Sequence, residues 1–359
     1  MENKWLNEAV KGEVPNGFQG KVGWASPSNI ALVKYWGKKG KQIPQNPSIS
    51  FTLSECRTET FIEYEKANRF GFSFFFEGKE NPAFGAKIEK FLMDHQAFFP
   101  FLNQLNLKVE SRNTFPHSSG IASSASSMSA FVMCMLEIER LLVGPSTGSG
   151  TLIKASYFSR LASGSAARSV FPAMALWGKT EAYEGSSDEY AVSLSEYIHP
   201  VFKTYRDSIL IVSGETKSVS SRAGHALMEG NPYASARYAQ ANENIKNLLA
   251  ALKSGDLDTF INITESEALQ LHALMMCSNP SFILMKPNTL NIINEIRGFR
   301  EETKIPLCFT LDAGPNVHLH YPDSEAEKVE HFINDHLADY CVDNKWIADH
   351  VGEGPKKLL

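Results

Sequence analysis

The spacing of apolar and polar positions predicts short strands in the first part of the chain and long helices in the second. Residues 21–26 read as a strand after a polar arm or short helix over 1–20. Asn46-Pro-Ser-Ile-Ser-Phe-Thr-Leu53 alternates hydroxyls with apolar residues and is the next strand. Residues 60–64 and 71–76 look like a β-hairpin pair, with the phenylalanine run as sheet core. Residues 83–99 have the spacing of an amphipathic helix. Leu107, Val109 and Ser111 alternate as in a strand, whereas Met128, Phe131, Met135, Ile138 and Leu142 recur at helical spacing. Residues 142–150 are a loop by composition, 152–162 a helix, and 173–179 with 190–199 carry the first half to its end. Residues 208–213 form a buried-strand pattern, followed by helical segments near 215–228, 234–253, 256–277 and 286–301. Residues 305–316 and 318–321 read as paired strands about a tight turn, and a helix over 323–340 and a short strand close the chain.

Between the strand ending near Ser111 and the helix beyond Met128 lies a loop rich in serine, seven of them between Ser118 and Ser129, with Pro116 and Gly120 inside it. A helix N-terminus offers unpaired N–H groups and partial positive charge, and Gly120 lets backbone approach a ligand closely. Serine hydroxyls add donors and magnesium ligands, a combination suited to a nucleotide triphosphate. An ordinary serine-capped helix is the plain alternative, since serine is a preferred cap. The 43% hydrophobic and 21% charged content describe an ordinary globular protein, and 359 residues predict two domains. The net charge of −5 argues against a coat for nucleic acid, so an anionic ligand must be held by placed cations. Five cysteines (Cys56, Cys134, Cys277, Cys308, Cys341) lack metal-type spacing, which predicts reduced thiols and a cytoplasmic protein; the first residues show no signal peptide and no window approaches a membrane span.

Three further stretches carry candidate chemistry. Asn29-Ile-Ala-Leu-Val-Lys-Tyr-Trp-Gly-Lys38 places Lys34, Lys38 and Lys39 beside two aromatics at the end of an apolar strand, either a surface charge cluster or a lysine pair aimed at phosphates. Ser163-Gly-Ser-Ala-Ala-Arg168 presents a planar guanidinium fork that suits a carboxylate or phosphate; a structural ion pair is the alternative. Asp312, before Ala-Gly-Pro at a strand end, is either an exposed cleft carboxylate or a turn former. His318 and His320 share one face of a strand, but no partner cluster in the sequence makes them a metal site.

Taken in order, these stretches resemble the diphosphomevalonate decarboxylases of the GHMP kinase superfamily. Residues 29–38 look like the N-I-A-x-x-K-Y-W-G-K signature, and residues 46–53 resemble N-S-S-I/L-S-x-T-L. Residues 113–125 resemble the N-N-F-P-T-A-A-G-L-A-S-S-A phosphate loop, and residues 163–169 resemble S-G-S-A-C-R-S. Residues 211–221 resemble the step that opens the second domain, and Leu311-Asp-Ala-Gly-Pro-Asn316 resembles F-D-A-G-P-N. The resemblance implies an α+β fold, with a ribosomal-protein-like domain over 1–200, a ferredoxin-like domain over 201–359, the site between them, and a homodimer. It implies ATP and magnesium, a small-molecule 5-diphosphomevalonate substrate, and no nucleic acid or membrane partner. By position it makes Asp312, Lys34 and Arg168 catalytic, and Tyr35, Lys38, Ser163, Ser165 and Arg168 substrate-binding. It puts Asn113, Pro116, Ser119, Gly120, Ala122, Ser123 and Ser124 against the nucleotide, with Ser124 on magnesium. The chain departs from the pattern at His117-Ser-Ser-Gly120, Ser127 and Ala167. The family's substrate-phosphate arginine has no clear equivalent; Lys79, Lys87 and Lys90 lie nearest to its place, beside Phe84. A phosphomevalonate decarboxylase, a kinase of the same superfamily and a non-catalytic nucleic-acid module are the alternatives; the net charge and the retained Asp312, Lys34 and Arg168 oppose the last.

Overall fold

The computed structural model describes residues 13–116, 121–144, 150–215 and 221–359, apart from the side chains of 221 and 222. The first half contains β1 (Gln19–Ala31), β2 (Lys38–Lys39), β3 (Ile43–Pro44), β4 (Ser48–Lys66), β5 (Gly71–Phe76), β6 (Lys79–Glu80), α1 (Pro82–Asp94) and β7 (Leu105–Asn113). It continues with α2 (Ser123–Val143), α3 (Gly150–Ala162), β8 (Met174–Trp177) and β9 (Ala191–Ser193). The second half contains β10 (Arg206–Leu210), α4 (Ser221–Ala226), α5 (Ala234–Ser254), α6 (Leu257–Met276) and α7 (Pro287–Thr303). It ends with β11 (Cys308–Leu311), β12 (Val317–Tyr321), α8 (Ala326–Phe332), β13 (Trp346–His350) and β14 (Lys356–Lys357).

The first sheet runs β14-β1-β4-β7-β5-β6, with β8 added to β4 and β9 to β8. Its long strands keep one face apolar: Ile62 and Tyr64 on β4 and Leu105, Leu107 and Val109 on β7 are buried beneath α1, α2 and α3. Buried along nearly its whole length, α2 is the central helix of this half, which suits a helix apolar on most sides. It begins at Ser123, earlier than the apolar spacing from Met128 predicts, because small serines tolerate the close packing of its first turns: Ser126 Oγ bonds Thr58 Oγ1 at 2.7 Å. Helix α1 follows its caps, with Pro82 in the first turn and Asn81 Oδ1 accepting from Phe84 N at 3.0 Å; it ends at Asp94, short of the predicted 99.

Two strand expectations change. The strands predicted over 46–53 and 60–64 are one strand, β4, kept continuous although its partner changes from β8 to β7 along its length. The predicted hairpin does not form, because β5 lies parallel to β7 and on its far side from β4. There Phe74 meets Phe84 of α1 at 5.2 Å between ring centroids, so β5 gains a helix to pack against.

The second sheet is fully antiparallel in the order β11-β12-β10-β13. In chain order that is second, third, first, fourth, the ferredoxin-like arrangement. The predicted last helix is regular only over α8 and continues as π and 3₁₀ turns to Tyr340. One core cluster belongs to both halves: Phe51 of β4 packs on Tyr205 (5.7 Å) and Phe260 (6.1 Å). Burying three such rings is worth several kcal/mol, so the halves are held together through a shared core.

Candidate active site

The segment after β1 carries the first group of side chains. Leu32 N bonds Ile49 O (2.8 Å), Ser48 Oγ bonds Val33 O (2.5 Å) and Asn46 Nδ2 bonds Lys34 O (3.0 Å), so β4 fixes this non-strand backbone. Gly37, at φ +94°, is required where it stands, since a Cβ would lie 2.1 Å from Tyr238 Oη. Lys34 is thereby buried, its Nζ donating to Ala31 O at 2.5 Å. Burial pulls its ammonium down to about 8, against the opposing pull of Asp312 and Glu267. It therefore stays cationic at neutral pH.

Arg168 closes the 3₁₀ turn Gly164–Ala167 and is buried, with the guanidinium carbon 5.9 Å from the Trp177 ring centroid. Its Nε donates to Asn29 Oδ1 (3.2 Å), while Nη1 has no hydrogen-bond partner in the protein. Burial pulls Arg168 down to about 10, with Tyr35 and Asp312 opposing. An unpartnered buried guanidinium N–H is costly unless an anion takes it. Asn29, within β1, is held in turn: its Nδ2 donates to Ser165 O (3.1 Å) and Ser169 Oγ (2.8 Å).

Asp312 follows β11, half-buried, in a turn closed by Gly314 N on Asp312 O at 2.7 Å. His272 of α6 bonds the same carbonyl at 3.1 Å. The Asp312 carboxylate acts electrostatically on Lys34, Arg168 and His225 alike, so three distant stretches of chain converge. Tyr35 is half-buried beneath Trp177 (4.7 Å between centroids), and its hydroxyl has no partner in the protein; burial pushes the phenol well above its usual range. Gly164 leaves room for that hydroxyl, since a Cβ there would lie 2.8 Å from it. Ser163 and Ser165 flank Gly164, both half-buried, and Lys38 on β2 reaches Gln42 Oε1 at 3.1 Å. Asp312, Lys34, Arg168 and Tyr35 therefore stand within electrostatic range of one another, with Lys38 acting on His225 beside them.

Of the predicted nucleotide residues, Ala122, Ser123 and Ser124 lie at the start of α2. Asn113 ends β7, its Oδ1 accepting from Thr58 Oγ1 (2.8 Å) and its Nδ2 without a partner. Pro116 is exposed, and Ser119, Gly120 and His117 lie outside the described residues. Ala122 adopts the left-handed conformation (φ 44°, ψ 40°), a strained position for a residue with a Cβ. Ser123 is half-buried and Ser124 exposed in the first turn of the 21-residue helix. Such a turn favours a phosphate, and the exposed Ser124 hydroxyl fits magnesium, which takes oxygen ligands and keeps several waters. Lys79, Lys87 and Lys90 do not join the cleft. All three are exposed; Lys90 pairs with Asp94 (2.9 Å) and Lys87 lies over Phe84.

Several site residues emerge only in three dimensions. Glu267 on α6 is fully buried and accepts from Lys34 N (2.8 Å), both terminal nitrogens of Arg237 and Asn244 Nδ2 (2.6 Å). An acid among the apolar positions of α6 is the one trace it leaves in the sequence. His225 packs on Tyr35 (4.4 Å) and Trp36 (4.7 Å), and Gly37 N donates to its Nδ1 at 2.9 Å, leaving Nε2 to carry the proton. Burial, then Lys38, push it down to about 3, so the imidazole is neutral.

Two family models together span nearly all of the chain: the diphosphomevalonate decarboxylase-like N-terminal domain matches residues 26–191 and the mevalonate 5-diphosphate decarboxylase C-terminal domain matches 208–356. The chain belongs to the diphosphomevalonate decarboxylase family. Diphosphomevalonate decarboxylase mvd1 of Aspergillus fumigatus is 28% identical over 324 residues, 85% of this chain and 77% of that protein. Mevalonate diphosphate decarboxylase from Staphylococcus aureus superposes with a TM-score of 0.82 at 26% identity, covering 95% of this chain and 99% of that one. A structure of MDDEF in complex with MVAPP, AMPPCP and magnesium gives 0.79 at 25% identity, covering 95% and 99%.

Proposed function

We infer that the chain converts 5-diphosphomevalonate and ATP, with magnesium, into isopentenyl diphosphate, ADP, phosphate and carbon dioxide. The convergence of Asp312, Lys34 and Arg168 carries this reading. Asp312, whose carboxylate acts on the Lys34 and Arg168 cations, accepts the proton of the tertiary hydroxyl as that oxygen takes the terminal phosphoryl group of ATP. Lys34 balances the charge gathering on the transferred group, and the first turn of α2 with Ser123 and Ser124 holds the nucleotide phosphates. The Ser124 hydroxyl would hold magnesium, which would supply charge neutralisation to the nucleotide phosphates. Phosphate then leaves with the C–O electron pair, the C–C pair to the carboxylate becomes the alkene, and carbon dioxide departs. Arg168 holds that carboxylate through its unpartnered Nη1, while Tyr35, Lys38, Ser163 and Ser165 position the rest of the substrate.

The division into 1–200 and 201–359 is supported by the two family matches, which leave 192–207 between them. Five free thiols support a cytoplasmic location. The homodimer rests on the family resemblance and is tested by light scattering. Activity is tested with purified protein, ATP and magnesium on mevalonate, its 5-phosphate and its 5-diphosphate, measuring ADP and carbon dioxide separately. Equal yields of both from the 5-diphosphate alone are expected. ADP without carbon dioxide on every substrate refutes decarboxylation, and turnover of the 5-phosphate alone shifts the substrate.

A further inference from the structure

The inward face of the second sheet carries a polar cluster that the reaction does not use. His318 and His320 stand two residues apart on β12 and so share a face. Antiparallel pairing sets Asp207 of β10 and Cys308 of β11 on either side of His320, and Thr310 beside His318. Directly paired residues point the same way, so Cys308, His320 and Asp207 form a row across three strands. Every member is buried, His320 and Cys308 completely, and the edge of His320 meets Phe51 of the first half at 5.4 Å.

The cluster does not satisfy itself. His318 Nδ1 and Asp207 Oδ2 are hydrogen-bonded at 2.8 Å, but His320 Nε2 lies 3.6 Å from Asp207 Oδ1, too far for a hydrogen bond. Asp207 Oδ1, His318 Nε2, both nitrogens of His320 and Thr310 Oγ1 have no hydrogen-bond partner in the protein. Burying polar groups without partners is costly, so a purely packing role would favour apolar residues here. One ligand atom from each of Asp207, His318 and His320 lies within 4.8 Å of the others. Ligand bonds of about 2.0–2.2 Å close that span with small side-chain rotations.

We propose that Asp207, His318 and His320 bind one divalent transition-metal ion of the zinc class. Two imidazoles and a carboxylate select zinc, cobalt or nickel over magnesium and calcium, which prefer oxygen alone. Enclosed under Phe51, the ion is structural and joins the inner face of the second sheet to the first half.

The test uses the full-length protein produced with zinc in the medium and desalted thoroughly, with metals counted by plasma mass spectrometry. About one tightly held zinc per chain is expected, as for a closed structural site. Asp207→Asn and His320→Gln should lose it. Removal with a chelator and replacement by cobalt should give the intense visible absorption of tetrahedral cobalt and raise the unfolding temperature. If the variants fail to fold, the cobalt spectrum and unfolding shift of the parent decide alone. Parent protein without tightly held metal and without these cobalt effects overturns the proposal, as does equal metal content in a folded Asp207→Asn variant. Decarboxylation is followed in parallel, and its absence from metal-loaded protein counts against the catalytic reading alone.

Discussion

Replacing Glu267 by Gln should unsettle both the fold and the ionisation of Lys34. The carboxylate is fully buried and takes four donors: Lys34 N, two nitrogens of Arg237 and Asn244 Nδ2. Gln keeps the size but removes the charge, leaving the buried Arg237 cation uncompensated and turning one accepting oxygen into an amide donor. Breaking such a pair costs about 3–5 kcal/mol, whereas replacing both partners by apolar residues is often neutral. Glu267→Gln should therefore lower the denaturant midpoint clearly, and Glu267→Leu with Arg237→Leu should recover much of the loss. The kinetic effect has a definite sign. Lys34 titrates near 8 because burial outweighs Asp312 and Glu267, so losing the Glu267 charge moves it lower still. The ammonium form is present below that pKa, and the alkaline fall of kcat/KM should begin at lower pH in the variant. Stability responds oppositely: Lys34 is depressed from 10.5 in the fold, so its buried charge costs stability below about pH 8, and the cost fades as pH rises towards 10.5. Urea titration and a pH series of kcat/KM measure both effects. A variant matching the parent in denaturant midpoint and alkaline limb would refute the role given to Glu267.

Asp312→Asn should preserve folding while turnover drops by about 10²–10⁴, the usual worth of a general base, as read in a coupled ADP assay; near-normal turnover would make Asp312 a turn residue alone. Arg168→Lys keeps the charge but loses the fork, so carbon dioxide release should fall clearly while nucleotide affinity, measured by calorimetry, holds; a parallel loss of nucleotide binding would move Arg168 to the phosphates. Ser124→Ala should slow turnover roughly 10- to 1,000-fold at saturating ATP with an unchanged melting curve, and an unchanged rate would remove its hydroxyl from the site.

The sequence showed the site where chemistry is written into contiguous motifs. Lys34, Arg168 and Asp312 each stand in a short stretch whose residues explain one another, and the fold brings them together. What escaped depends on packing between stretches. Nothing near Arg237 on α5 announces that it will face Glu267 on α6, since the pairing depends on how the two helices pack. The strand partner of β5 was hidden for the same reason. Neighbouring strands usually pair, and the preference of Phe74 for the α1 side is visible only after α1 has docked. Likewise the spacing of His318 and His320 was plain, whereas Asp207, more than a hundred residues away, entered through strand pairing.

The final strands bear on what a cut chain would do. Asp349 of β13 accepts from the backbone N–H groups of Ser54, Glu55 and Cys56, each at 2.8 Å, part-way along β4. Gly352 N then bonds Thr52 O at 2.8 Å, and β14 lies beside β1 with Lys357 opposite Trp24. The second half is thus stitched into the first sheet by its own last residues as well as by the cleft. A protease nick in the connection between β9 and β10 would leave two fragments locked in one native complex, and neither piece made alone would have a complete edge to fold against.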